Sequence, residues 1–332
     1  MIVYPNNYKH YLNVVETELA IKAIKDMFET ELSLALNLIR VSAPLFVEAD
    51  SGFNDQLVGQ AQPVRFYSDD VGKTLEIVQS LAKWKRFALA RYDFKINQGL
   101  YTDMNAIRKD EQLDNIHSIL VDQWDWELII EPHDRTLEKL KDVVRKIYDV
   151  LLKVEAMVEK TFDLQASLSK NIHFITSQAL LDRYPDLPQK EREKAYAKQH
   201  GSVFVLQIGD RLSHGQPHEE RAFDYDDWSL NGDLLIYYPL LEDVIELSSM
   251  GIRVTKTELL YQSKQAKQEA QLAQAYHQMV LKDQLPITIG GGIGQSRMCL
   301  ILLKKAHIGE VQATTWPQTM EAEAKAKGIF FL

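Results

Sequence analysis

The chain has 332 residues, 45% hydrophobic and 26% charged, with 47 acidic against 38 basic side chains and a formal charge of −9. These proportions fit a globular protein with a sizeable core and exclude wholesale disorder, while the acidic balance speaks against a nucleic-acid binder, whose affinity needs a net basic face. Cys299 is the only cysteine, which excludes an intrachain disulfide framework and a cysteine-rich zinc site.

The opening MIVYPNNYKH lacks the regions of a signal peptide, and no apolar stretch approaches the ~20 residues that cross a bilayer. A soluble cytoplasmic protein without a membrane partner is expected. Residues 9–37 read as an amphipathic helix with Leu12, Val15, Leu19, Ile24 and Phe28 on its stripe. RVSAPLF then reads as a short strand meeting Pro44, EADSGFNDQLVG as a polar loop, and VRFYSDDVGKTLEIV as a hairpin. SLAKWKRFALARYDF predicts a helix carrying Ser80, Lys83, Lys85 and Arg86.

In HSILVDQWDWELII, β-branched and aromatic residues alternate with polar ones, which predicts a strand. Gln123, Asp125 and Glu127 would share one face and Trp124 and Trp126 the other. Residues 135–160 predict a long amphipathic helix, SVFVLQIGD and DVIELSS two strands, residues 255–283 a polar helix, and RMCLILLKK a last helix that buries Cys299. No repeat or linker interrupts the chain. Strands and helices mix without regular alternation, so one α+β domain over residues 1–332 with a mainly antiparallel sheet is expected.

The glycine run PITIGGGIGQSR fails the known phosphate-loop patterns. A dinucleotide fingerprint counted from Gly290 or Gly292 meets Gln295 or Arg297 where its last glycine should stand. The GKT at Gly72–Thr74 has Tyr67 in place of the first P-loop glycine. Ser80–Lys83 matches the S-x-x-K of serine acylases, but the partner motifs are absent. Alone, the run reads as a tight strand-to-helix turn. Its company is more informative: Lys85 and Arg86; Arg108 in IRKDE; Gln123, Asp125 and Glu127; Glu246 and Arg253 around a small-residue turn; and Arg297. Separated guanidinium groups suit a polyanion such as ATP, a carboxylate at Asp125 suits an α-ammonium, and one at Glu246 suits Mg²⁺ bridging phosphates.

These segments resemble the catalytic core of the class II aminoacyl-tRNA synthetases, most closely the aspartyl branch. LIRVSAPLF is similar to motif 1, Arg108 with VDQWDWE to motif 2, and GGGIGQSR to motif 3. ELSSMGIR and QSLAKWK resemble the aspartyl enzymes' corresponding motifs, and GFNDQLV their mobile loop. Because the chain opens directly on this core, no anticodon-binding barrel and no tRNA are expected. The wording SLAKWKR, DQWDWE, RYPDL, DYDDW, LNGD and ELSSMGIR is similar, over nearly the whole chain, to the ammonia-dependent asparagine synthetases. One departure is that only Ser229 and Leu230 separate DYDDW from the NGD that ends LNGD, fewer than the resemblance implies.

The resemblance implies a homodimeric ligase of L-aspartate, ATP and ammonia that works through β-aspartyl-AMP. Arg108 would hold the α-phosphate and Arg297 the bent nucleotide, above a floor that includes Gly292 and Gly294. Glu246 with Asp233 would hold Mg²⁺. Asp125 would take the α-ammonium of aspartate, and Ser80, Asp226 and Ser249 would also line the substrate site. Because the β-carboxylate must meet the α-phosphate, Lys85 and Arg253 are expected on the α-carboxylate. Asp55 is the candidate to bind ammonium and accept its proton, with Gln123 orienting the β-carbonyl. The alternative is a synthetase-like enzyme that passes an activated amino acid to another amine. A glutamine-dependent synthetase is disfavoured, since such enzymes start on a cysteine.

Overall fold

The computed structural model describes residues 2–6, 8–55 and 62–332. In the first part of the chain, α1 (Val14–Leu36) leads to β1 (Leu38–Arg40), β2 (Phe46–Glu48), β3 (Arg65–Ser68) and β4 (Lys73–Ile77). There follow α2 (Ala82–Arg91), β5 (Gly99–Ile107), β6 (Leu120–Ile129) and α3 (Leu137–Phe162). The middle holds β7 (Ile172–Thr176), α4 (Ser177–Arg183), α5 (Gln189–His200), β8 (Ser202–Leu206), β9 (Asp226–Tyr238) and β10 (Asp243–Arg253). The last part holds α6 (Lys256–Ala266), α7 (Ala275–Leu281), β11 (Thr288–Gly294), α8 (Gln295–Leu302) and α9 (Gln318–Ala326).

One eight-stranded sheet runs β1-β5-β6-β11-β10-β9-β8-β7. Its neighbours are antiparallel except at the two edges, where β1 pairs with β5 and β7 with β8 in parallel. A small antiparallel sheet β2-β4-β3 stands apart. The expected α+β class with a mainly antiparallel sheet is therefore what the chain forms.

The central strand β6 sets the two sides of the molecule. Trp124 and Trp126 are fully buried on one face, packed in the main core with α1, α3 and α8. The Phe28 ring lies 4.6 Å from that of Trp124. The opposite face carries Gln123, Asp125 and Glu127, as the alternation requires, and α2 lays Lys85 over it.

Several expected elements are corrected in detail. Helix α1 begins at Val14 because Asn13 and Glu16 form a capping box, and it stops at Asn37, whose φ of 55° is left-handed. Val15 and Leu19 do not belong to its core stripe. They are 68% and 60% exposed, whereas Ile24, Phe28, Leu32 and Leu36 are buried. Counting at 100° per residue, Val15 and Ile24 stand on opposite sides of the helix, so one stripe could not hold both. The 255–283 helix is broken after α6, where Lys267 adopts φ 56°, and resumes as a short 3₁₀ turn and α7. Ser80 precedes α2 rather than lying on it. Between DYDDW and LNGD there is no loop, since β9 runs straight through Ser229 and Leu230. Gln56–Gly59, in the expected polar loop, lie outside the described residues.

Candidate active site

The site is built by strand register. Asp125 of β6 stands opposite Thr102 of β5 and Gly292 of β11; Gly292 faces Ser249 of β10, and Ser249 faces Asp233 of β9. One row across five strands therefore brings together residues more than a hundred positions apart in the chain. A second row joins Glu127, Gly290, Gly251 and Asn231. The glycines are strand residues and not the expected turn; only Gly294 ends the strand, as the N-cap of α8. A Cβ on Gly292 would run into Gln123 Oε1 and stand 3.0 Å from Asp125 Oδ1. Bare backbone at this point keeps the floor flat between two polar walls.

Glu246 and Arg253 reach the same side by a device invisible in the sequence. Pairing of β10 with β9 shifts between Glu246 and Ser248, a β-bulge. Ile245 and Leu247 point into the core before it, and Met250 and Ile252 after it. The extra residue reverses the alternation, so Glu246 and the later Ser249 and Arg253 all face the cavity. The expected small-residue turn is corrected to this bulged strand.

A cavity of about 900 Å³ is lined by Ser80, Lys85, Arg108, Gln123, Asp125, Asp226 and their neighbours. At its inner end Lys85 Nζ donates to Asp125 Oδ1 at 2.6 Å and to the Gly291 carbonyl at 2.7 Å. Burial lowers the Lys85 pKa, and Asp125 opposes that. Asp125 Oδ2 is buried without a hydrogen-bond partner. Beside it Arg253, 2% exposed, donates to Glu127 at 2.6 Å and 2.9 Å and to Asp226. Burial would push the Glu127 carboxyl up, but Arg253 outweighs it and holds it below its ordinary range. Ser80 Oγ accepts from the Ala82 amide at 3.1 Å.

A smaller adjoining cavity of about 190 Å³ is bounded by Arg108, Glu246, Ser249, Gly292, Gly294 and Arg297. Arg297 is anchored by an N–H donated to the Glu246 carbonyl at 2.7 Å. Arg108 lies just past β5, 3.9 Å from Glu111, with its Nε unpartnered. Ser249, Glu246 and Arg108 also line the larger cavity, so the two are one cleft.

Asp233 pairs with Arg221, which also binds Glu219 at 2.8 Å and donates to Ser249 Oγ at 3.3 Å. Burial drives the Asp233 carboxyl well up, Arg221 opposes it, and Glu246 and Glu219 add to the rise. Among the described residues, no three His, Cys, Asp or Glu side chains converge into a metal cage. A magnesium ion that shares phosphate oxygens needs only one or two carboxylates; Glu246, which lines both cavities, fits that demand, whereas the expected second ligand Asp233 is held by Arg221 and borders neither.

Asp55 sits on a further wall, 5% exposed, with Oδ1 unpartnered. Burial pushes its carboxyl up to about 6, Lys83 and Arg108 offsetting part of the rise and Asp224 and Asp226 adding to it. Behind it, Lys83 is bound to Asp224 at 2.7 Å, and Asp224 also meets His277 at 2.9 Å. Burial raises the Asp224 carboxyl, but Lys83 and His277 outweigh that and hold it at about 2. Asp224 thus stands behind the cleft wall, and Asp227 pairs with Arg135 at 2.7 Å. All the residues expected at the site border the one cleft except Asp233, which reaches it through Arg221.

Sequence reasoning missed Arg221, Glu219 and Tyr225, which line the cleft from the segment before β9. Their only signal was the density of charge in HEERAFDYDD. Cys299 is fully buried, and burial pushes its thiol up to about 12, as an inert core residue requires.

The profile of the family described as Aspartate-ammonia ligase matches residues 15–328. An aspartate–ammonia ligase of Clostridium perfringens (strain SM101) is 54% identical over 330 residues, covering 99% of this chain and 98% of that one. Those of Clostridium tetani and Levilactobacillus brevis are 53% and 52% identical, over 100% of this chain and 98% and 99% of theirs. Among solved structures, an Entamoeba histolytica asparaginyl-tRNA synthetase in complex with asparaginyl-adenylate superposes with a TM-score of 0.65 at 14% identity, over 90% of this chain and 66% of that one. The Pyrococcus horikoshii asparaginyl-tRNA synthetase, also complexed with asparaginyl-adenylate, gives 0.61 at 15% identity, over 90% and 70%. The fold is thus the class II aminoacyl-tRNA synthetase core.

Proposed function

The chain belongs to the aspartate–ammonia ligase family, and from that premise we propose that it joins ammonia to the β-carboxylate of L-aspartate using ATP, giving L-asparagine, AMP and diphosphate. The observation that carries this reading is Asp125 Oδ2, a buried carboxylate oxygen left without a partner beside Lys85 and Arg253. It suits the α-ammonium of an amino acid whose α-carboxylate meets the two cations. Lys85 has one N–H left after Asp125 and Gly291, and Arg253 has two left after Glu127 and Asp226.

The β-carboxylate then points towards Arg108. A β-oxygen attacks the α-phosphorus of ATP, the bond to diphosphate breaks, and β-aspartyl-AMP forms. Arg108 stabilises the charge gathering on the α-phosphate, while Arg297, fixed by the Glu246 carbonyl, holds the folded nucleotide above Gly292 and Gly294. Glu246 would hold magnesium, which neutralises phosphate charge when bound. In the second half, ammonium gives one proton to the Asp55 carboxylate and nitrogen forms the C–N bond. The C–O bond to AMP breaks with its electron pair leaving on the phosphate oxygen, and the second nitrogen proton goes to water. Gln123 orients the carbonyl.

The remaining readings belong to the same proposal. A homodimer would cover the apolar side chains that α1 and the edge strand β1 leave exposed, Val15, Leu19, Leu34 and Ile39. A cytoplasmic ligase without a membrane or nucleic-acid partner belongs to the same proposal; no helix among the described residues is long and apolar enough to cross a membrane. The test is AMP release with ATP and aspartate, comparing ammonium, glutamine and no nitrogen donor. AMP and asparagine should form stoichiometrically with ammonium and not with glutamine. Turnover that needs another amine and ignores ammonium would reject the ligase reading in favour of an aminoacyl-transfer enzyme.

A further inference from the structure

Asp55 belongs to two cavities. Besides the main cleft, a second cavity of about 490 Å³ also borders it, lined by Asn54, Asp55, Gln79, Phe223 and Asp224. The two share only Asp55, Glu220, Arg221 and Ala222. We propose that this second cavity is the ammonium-binding vestibule of the enzyme, with Gln79 and Asp55 as its ligands at the junction, so that the nitrogen donor enters by a route separate from ATP and aspartate. The inference rests on the ligase reading above.

Gln79 is the observation that points to a ligand. It is wholly buried, yet both its amide oxygen and its amide nitrogen lack a hydrogen-bond partner. A buried amide left bare is costly, and its unpartnered oxygen calls for a donor such as ammonium. Its position is fixed from below: Asn54 Oδ1 accepts from the backbone N–H of Gln79 at 2.8 Å and from the backbone N–H of Asp55 at 3.0 Å. Asn54 Nδ2 in turn donates to Glu76 at 3.0 Å and to the Ile77 carbonyl at 3.2 Å. One asparagine therefore sets the backbones of both proposed ligands. Gln79 Oε1 and Asp55 Oδ1, both unpartnered acceptors, suit a small cation with four N–H bonds.

The charge of the cavity agrees. Glu48, Asp50, Glu76, Asp210, Glu220 and Asp224 line it with Asp55, against Arg65, Arg211 and Arg221. Pairing cancels Arg65 with Glu76, Glu48 with Lys73 and Asp224 with Lys83, each at 2.7 Å, and Arg221 is bound by Glu219 and Asp233, which leaves Asp50, Asp210 and Glu220 against Arg211. An acidic mouth raises the local concentration of ammonium and repels ATP and aspartate. Once β-aspartyl-AMP fills the main cleft, a second entrance also explains how nitrogen reaches the acyl carbon without opening the cleft to water.

The experiment compares two rates of the full chain: aspartate-dependent exchange of diphosphate into ATP, which needs no ammonia, and asparagine formation as ammonium chloride is varied. For Gln79→Leu, KM for ammonium should rise at least about tenfold relative to the change in exchange rate, the loss expected for one hydrogen bond to a charged ligand. An unchanged KM for ammonium with exchange intact would overturn the proposal. Should Gln79→Leu lose exchange through misfolding, the exposed triple variant Glu48→Gln/Asp50→Asn/Asp210→Asn decides. Its kcat/KM for ammonium should fall several-fold at low ionic strength, with the difference from the parent protein closing in high sodium chloride. No difference at low salt would overturn the vestibule. Absence of exchange in the parent protein would instead overturn the ligase reading on which it rests.

Discussion

Replacing Asp55 by Asn separates what this carboxylate does for the reaction from what it does to the fold. Burial lifts its pKa from 3.8 to about 6, a rise of roughly 2 units, and at ~1.4 kcal/mol per unit the folded state loses ~3 kcal/mol by holding it ionised at neutral pH. The sign follows from proton binding. Between 3.8 and about 6 the folded chain keeps a proton that the unfolded chain releases, so stability falls as pH rises through that window and the full penalty stands above it. Asparagine has nearly the same shape, carries no charge, and leaves the unpartnered Oδ1 position unstrained. At pH 7.5 the Asp55→Asn protein should therefore melt several degrees higher, on the order of 4–8 °C for a chain of this size. Near pH 4 the two melting points should converge. Asparagine formation should collapse, because no base remains for ammonium, while diphosphate exchange persists. In the parent protein, asparagine formation should also fall as pH drops through about 6. A variant no more stable at pH 7.5, or one that loses exchange and amide formation equally, would refute the account of Asp55 as a destabilised base.

Two further substitutions probe the floor and the amino-acid end. Lys85→Ala should raise KM for aspartate at least about tenfold, since it removes a cation proposed to meet the α-carboxylate and strips Asp125 of a 2.6 Å partner; an unchanged KM would reject the reversed placement of the substrate. For Gly290→Ala, the new methyl would strike the Glu127 carboxylate and lie 2.7 Å from Arg253 Nη2. Neither partner can withdraw, because each is fixed in the buried ion pair, so a loss of about 3–5 kcal/mol is expected. Denaturant unfolding would measure it, and a neutral result would show that the pair yields.

The sequence alone determined the parts of the molecule that follow from local pattern. Alternation in DQWDWE fixed which face of β6 is core and which is polar, because a strand's period of two needs no partner to be read. The motifs around Arg108, Glu246 and Arg297 carried the family resemblance, and with it the fold class. Patterns of this kind also misled. Helical spacing puts Val15 and Leu19 on a core stripe they do not join, because spacing gives a face but not what covers it. The glycine run looked like a turn because glycine's freedom is local, whereas its use here is space.

What only the tertiary structure decided is where the charges meet. The bulge at Leu247, which turns Glu246 to the side of Ser249 and Arg253, is a mismatch between two strands and has no signature in either one. Register places Asp125, Gly292, Ser249 and Asp233 in one row; it is set by pairing energies summed along whole strands. The bare amide of Gln79 and the raised carboxyl of Asp55 are consequences of desolvation, and desolvation exists only once distant segments have closed around a group.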